Sequence, residues 1–217
     1  LGTGTRDRRI AWVMEQFYLH GAKESVKYDA KPHVGTDVLI HVVRNIREDI
    51  VRLGGEIRFS SKLTDLKIRE GKITGAVIQT PDGCYEQNCS QMILAIGHSA
   101  RDTFEMLDRR GIPMEQKPFS MGVRIEHRQT DTDFAQYGKE RGQLPPADYS
   151  LSVHLPDGPS AYTFCMCPGG YVVNSSSIKG HLCVNGMSYS DRASENANSA
   201  IIVGIDRDDF GSDDVLA

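Results

Sequence analysis

Cys165 and Cys167, in the run FCMCPGG, stand two residues apart. On a strand, positions i and i+2 face the same side. The pair therefore reads as a redox couple, or as half of a metal site completed by His181 and Cys183 on a neighbouring strand. Zinc sites favour a wider gap between paired cysteines, and free cysteine packs in cores as a small apolar residue. Structural thiols and no metal are the expectation. A second polar block, NGMSYSDRASENANSA, gathers Asn185, Ser188, Tyr189, Ser190, Arg192, Asn196 and Asn198 between apolar runs. Loops of this kind carry binding groups on a rigid frame, although Asn, Asp and Ser also simply form turns and caps. The third group is the corner MILAIGHSARDTFEML, where an apolar run meets Gly97, His98 and Ser99. The carboxyl end of a strand in an open α/β sheet is a ligand position, and Gly97 has no Cβ to bar close approach. The plainer alternative makes Ser99 the cap of the next helix, with Asp102 at its third position and His98 on the surface. In FSMGVRIEH, Arg124 and Glu126 share a face and can pair with each other, while His127 is the group suited to proton transfer near neutrality or is simply exposed.

The elements that must position these residues follow from periodicity. Ile10, Val13, Met14 and Phe17 predict a helix over Arg9–His20. Thr36 is an N-cap for a second helix with Leu39, Val42, Val43, Ile46, Ile50 and Leu53 on one face, and Gly54 stops it. EIRFSS, LTDLKI, ITGAVIQT and CYEQN read as short strands with turns at REGK and PDG. Met92–Ile96 is apolar on both faces, as a strand covered above and below would be. This order predicts a parallel sheet carrying a small antiparallel meander. DTFEMLDRRGIP reads as a helix ending at Gly111. Beyond it, FSMGVRIEH (Phe119, Met121, Val123 and Ile125 on one face), YSLSVHL, AYTFCMC, YVVNSS and HLCVNGM predict antiparallel hairpins. Residues 139–148 read as an exposed loop and the acidic end, DRDDFGSDDVLA, as a frayed terminus. The fold class is α/β, in a mixed α+β arrangement, with a boundary near residue 103.

The totals exclude several classes. With 25 basic and 29 acidic residues and no Lys/Arg run longer than two, no stripe is ready to neutralise a phosphate backbone, so nucleic acid is a poor partner. No apolar run approaches the roughly 18–20 residues needed to cross a bilayer, and the first residues lack the order of a signal peptide. Five cysteines, an odd number, read as reduced thiols. A soluble, cytoplasmic protein is expected.

The blocks MILAIGHSARDTFEML, GIPMEQKPFSMGVRIEH, KPHVGTD, FCMCPGG and NGMSYSDRASENANSA occur in order and together resemble a bacterial family of uncharacterised FAD-dependent dehydrogenases, distant relatives of glutathione-reductase-type flavoproteins. The resemblance covers nearly all of residues 9–205. It implies that residues 1–103 are part of a FAD-binding domain and 104–217 part of a substrate domain. It places Ala95, Ile96 and Gly97 at an Ala-Thr-Gly-like corner, with Ile96 as the departure, and His98 and Ser99 beside it. It puts Leu63 where a strand's backbone meets adenine, with a purely core role as the alternative, and lets Asn196 and Asn198 hydrogen-bond the flavin edge. The Gly-x-Gly-x-x-Gly phosphate loop does not occur in the chain, since Gly2 and Gly4 lack a preceding strand and a third glycine. The resemblance thus implies the central fragment of a longer oxidoreductase that moves hydride between an unknown small-molecule substrate and FAD, with weak or no FAD affinity of its own. A fragment of this kind would expose apolar surface and self-associate. A non-catalytic module that binds a metabolite or a protein is the alternative.

Overall fold

The helical spacing between Ile10 and Phe17 becomes α1, Arg8–Leu19, in the computed structural model, which describes residues 7–156 and 158–216. Asp7 caps it by accepting from the Arg9 amide at 2.9 Å. The chain divides into two compact units, Leu1–Glu56 with Ser120–Gly204 and Ile57–Phe119 with Ile205–Ala217.

In the first unit, α2 (Thr36–Arg52) follows the expected helix, but its apolar face splits. Val38, Val42 and Ile46, four residues apart, pack with Phe17, Ala22, Val26 and Val34 into one core. Val42 is 0% exposed, whereas its neighbour Val43 is 58% exposed, and Leu39, Ile50 and Leu53 also face outward. The hairpin runs form β4 (Phe119–Arg128), β5 (Ser152–Val153), β6 (Ala161–Cys167) and β9 (Asn196–Ile205), ordered β4-β9-β6-β5. β6 pairs antiparallel with both β5 and β9. β4 also runs against β9: Gly122 lies on Ile201 and Ile202, while the Gln129 amide donates to the Glu195 carbonyl at 2.9 Å. A separate antiparallel pair joins β7 (Gly170–Asn174) to β8 (Val184–Ser188).

Residues 139–148 are not simply an exposed loop. The helix α4, Gln129–Tyr137, runs into a 3-10 turn over Gly138–Gln143, and Ala147 is buried, its amide held by Asp133 at 2.9 Å. The loop after β8 is tied to the start of α2, because Asp37 accepts from the Ser190 amide at 2.8 Å and its hydroxyl at 2.7 Å. The His33 Nε2–H donates to the Tyr189 carbonyl at 2.9 Å.

In the second unit, β1 (Lys62–Arg69), β2 (Lys72–Thr80) and β3 (Gly83–Asn88) make the expected meander, all antiparallel. The run at 56–61 forms no strand. The helix α3, Arg101–Arg109, sets Met106 and Leu107 on Leu66, with Leu63, Ile73, Met92, Phe104, Ile112 and Met114 around them. Ala100, not Ser99, is its N-cap, and Asp102 turns instead to the Thr103 amide at 2.9 Å and to Lys62. The acidic end is not frayed. Arg207–Asp209 forms a short capped 3-10 turn, Gln116 donates to the carbonyls of Ser212 and Asp214, and Phe210 stacks on Phe119 at 5.7 Å.

The expected parallel sheet is absent, since no parallel pairing occurs among the described residues. Met92–Gly97 is correspondingly not a buried strand. It joins no ladder, Ile93 is 92% exposed, and Leu94 and Ile96 also face solvent. A strand exists only through a neighbour that takes its amides and carbonyls. Two-faced apolarity signals the need for cover, and the described residues set no strand beside this one.

Two outcomes follow. Val42→Ala lowers the unfolding free energy by about 2 kcal/mol in urea titration, while Val43→Ala on the open side stays within roughly 0.5 kcal/mol. The Ser190 hydroxyl, then its amide, hold the Asp37 carboxyl below its usual range despite partial desolvation. A depressed folded value contributes stability above the unfolded value of about 3.9, and that contribution is lost as pH falls through the folded value. The stability difference between wild type and Asp37→Asn is therefore largest at neutral pH and closes in acid, as urea midpoints along a pH series would record.

Candidate functional site

The polar cluster of the first unit forms around an irregularity in β6. Phe164 pairs with Ala200 and Cys167 with Asn198, so Cys165 and Met166 together face one residue of β9. This is a β-bulge, which bends the strand and takes one residue's backbone out of the ladder. Cys165 adopts φ +48°, a left-handed conformation that costs a non-glycine residue on the order of 1 kcal/mol.

Arg124 of β4 spans the neighbouring strand to reach this bulge. Its Nη1 donates to the Asn198 Oδ1 at 2.7 Å and to the Cys165 carbonyl at 3.1 Å, and its Nη2 approaches the Asn185 Oδ1 at 3.5 Å. The expected pairing of Arg124 with Glu126 gives way to this network. Asn198 is 0% exposed. The Arg124 Nε and the Asn198 Nδ2 are buried without a hydrogen-bond partner, as is the Arg192 Nε. Gly186 on β8 lies so close that any Cβ there would strike the Arg124 guanidinium, the Asn198 carbonyl oxygen and the Cys167 sulfur. Under this lid Cys167 is buried, with the Ser188 hydroxyl donating to the adjacent Pro168 carbonyl at 2.9 Å.

The two thiols differ in environment. Cys165 is exposed, and a hydrogen bond from Cys167, reinforced by the Arg124 charge, brings its pKa down to about 6 against a smaller desolvation effect. The Cys167 thiol is pushed upward by its hydrogen bond to Cys165, by burial and by the charge of its neighbour. Structural burial therefore describes Cys167 and not Cys165. Cys183 is exposed and its amide pairs with the Ser176 hydroxyl, and no group of three or more His, Cys, Asp or Glu among the described residues could hold a metal ion. His127 bonds through Nε2 to the Tyr149 hydroxyl at 2.8 Å, and burial raises the Tyr149 pKa above its usual value.

The residues expected to touch a cofactor divide between the units. Asn196 and Asn198 lie on β9 in the first. Leu63, on β1 in the second, is half-buried against the Leu66–Met106 core. Ala95, Ile96, Gly97, His98 and Ser99 follow one another along the exposed stretch before α3, where the Ser99 hydroxyl lies 3.3 Å from the His98 Nε2. Beside them His98, Arg101, Phe104, Met114, Lys117 and Leu216 are among the residues that line a cavity of about 490 Å³. Gly97 has φ +68° and no atom within 4 Å of where a Cβ would be, so the corner is open to close approach.

Sequence reasoning missed Arg124 as the hub and gave Asn198 a hydrogen bond to the flavin edge, with a turn or cap role as the alternative. The signal was present in part: an arginine inside an otherwise apolar strand needs acceptors, and two amides downstream are the nearest candidates by type.

No helix among the described residues is long and apolar enough to cross a membrane. An uncharacterized protein of Clostridium beijerinckii is 45% identical over 215 residues, which cover 97% of this chain and 39% of that relative, so the chain spans well under half of its length. Residues 118–217, which include β4, the bulged β6 and β9, match the family model described as "FAD-dependent protein, C-terminal domain-like".

Proposed function

We propose that this chain is the central part of a bacterial, cytoplasmic FAD-dependent oxidoreductase of the dehydrogenase type. The observation that carries the reading is the family match over residues 118–217. When bound, FAD would supply hydride exchange with an organic substrate. In the larger enzyme, residues 1–103 would contribute to the FAD-binding domain and 104–217 to the substrate domain.

The chain's own residues would then bind and orient. Gly97, with its left-handed backbone and open surroundings, would let Ala95, Ile96 and its own amide approach the cofactor closely, and His98 and Ser99 would stand at the edge of that contact. The backbone of Leu63 would offer one donor and one acceptor to adenine. Asn196 and Asn198 would act within their own unit: Asn198, fully buried, as a positioning residue that fixes the Arg124 guanidinium, and Asn196 as a hydrogen-bonding group one turn of the pleat away. Arg192 would steady an anionic group. The exposed apolar side chains of Met121, Val123 and Ile93 support self-association of the isolated chain.

The test uses the full-length protein that contains this chain. It should purify with flavin absorbance near one equivalent, or regain it when the apo form is titrated with FAD. Gly97→Val should weaken FAD binding at least roughly tenfold, because a β-branched side chain is strained at positive φ and fills the open corner. Thermal denaturation of the apo variant separates lost binding from lost folding. A full-length protein that takes up no FAD overturns the reading, and unchanged affinity in Gly97→Val removes the corner from the site.

A further inference from the structure

We propose that Cys165 and Cys167 form a dithiol–disulfide redox centre, in which the exposed Cys165 attacks a sulfur of a small-molecule disulfide and the buried Cys167 resolves the resulting mixed disulfide. This goes beyond the flavin reading and does not depend on it.

Three observations place the chemistry here. The first is geometry. Along a regular strand, residues i and i+2 are about 6.6 Å apart, at the upper edge of the Cα separation a disulfide accepts. The bulge at Cys165–Met166 and the left-handed turn at Cys165 shorten that path, and the Cys167 Sγ turns back along its own strand to lie 3.4 Å from the Cys165 carbonyl oxygen. The second is accessibility. Cys165 faces solvent while Cys167 is enclosed under Gly186, so one thiol meets an outside reagent and the other does not. The third is the polar frame. Arg124 stands against the Cys165 carbonyl and brings one positive charge to it, and the Arg124 Nε and Asn198 Nδ2 are buried donors with no acceptor, so donors outnumber acceptors in these surroundings.

The groups facing Cys165 act in one direction. Cys167 on its own strand donates a hydrogen bond and Arg124 from β4 contributes charge, while the neutral Asn198 of β9 and Asn185 of β8 accept from that guanidinium. With its pKa lowered to about 6, Cys165 is largely thiolate at neutral pH. Cys167 is held protonated chiefly by its bond to that thiolate. Once Cys165 enters a mixed disulfide, the bond and the charge vanish together and Cys167 is released to react.

The electron balance closes without another reagent. The Cys165 thiolate attacks one sulfur of R–S–S–R, a Cys165–S–S–R bond forms and RS⁻ leaves. The Cys167 proton passes to that RS⁻, giving RSH. The Cys167 thiolate then attacks the Cys165 sulfur, the Cys165–Cys167 bond forms and the second RS⁻ departs. Two electrons move from the dithiol to the small-molecule disulfide, which is reduced to two thiols, one of them protonated.

The experiment uses the full-length protein with oxidised glutathione as the probe and mass spectrometry of the peptide carrying both cysteines. Wild type should lose two hydrogens and carry no glutathione adduct. Cys167→Ser should accumulate the glutathione adduct on Cys165, and Cys165→Ser should form neither product. Without probe, iodoacetamide labelling of Cys165 should be half-maximal near pH 6, at about its lowered value. Near that pH Cys165 should react roughly tenfold faster than a free thiol with a pKa of about 8.5, the gain in thiolate fraction exceeding the loss in intrinsic nucleophilicity. Arg124→Gln should shift the labelling midpoint upward. A persistent glutathione adduct on wild type, no reaction at all, or a midpoint near an ordinary thiol's value of about 8.5 overturns the proposal. Should a serine variant fail to fold, the wild-type product and its pH profile decide the question alone.

Discussion

One guanidinium holds the irregular part of the first unit's main sheet together. The extra residue in β6 takes the Cys165 carbonyl out of the ladder, and a carbonyl without a donor is a standing cost. Arg124 supplies the stronger donor from two strands away, beside a weak one from the Cys167 Sγ at 3.4 Å, and the same Nη1 binds the Asn198 side chain on the strand between. A charged donor bonds more strongly than a neutral one, which compensates for the left-handed backbone at Cys165. The bulge, the buried amide and the glycine at position 186 are consequently one arrangement: altering any of them changes the space or the acceptors available to Arg124.

Much of the secondary structure was legible in the sequence, because it is governed by local rules. The helices α1 and α2 follow from apolar spacing, and the meander from alternation broken by turn residues. The division of the α2 face into Val38, Val42 and Ile46 inside and Leu39, Val43 and Ile50 outside was not legible, since it depends on where Phe17, Val26 and Val34 return to meet the helix. Periodicity finds an apolar face and does not say how much of it is covered.

The site was harder to read for a related reason. Cys-x-Cys on a straight strand predicts two thiols alike in burial, whereas one inserted residue separates them into an exposed thiol and an enclosed one. No residue type in AYTFCMC announces a bulge, because Cys165 takes the positive φ without being glycine or asparagine. Asn198 stands out in the sequence as one member of a polar block between apolar runs, but its partner lies 74 residues earlier in the chain, beyond any local pattern. The Met92–Gly97 stretch failed differently. Its composition requires cover on both faces, and composition does not say from which chain that cover comes.

The two candidate centres therefore differ in how self-sufficient they are. Around Cys165, the Arg124 guanidinium, the Cys167 sulfur and the Asn198 and Asn185 amides that hold the guanidinium come from β4, β6, β8 and β9 of a single unit, and the strain at the bulge is balanced within it. A thiol centre built in this way keeps its charge environment whether or not a cofactor is bound elsewhere. The Gly97 corner has the opposite character: apolar side chains in solvent, a backbone outside any ladder and a glycine with open space around it. Burying Ile93 fully would stabilise an ordered form by roughly 2 kcal/mol, and pairing the free amides would add about 1 kcal/mol for each hydrogen bond. The corner therefore gains stability from any surface that covers it, so order there and the docking of such a surface are thermodynamically linked.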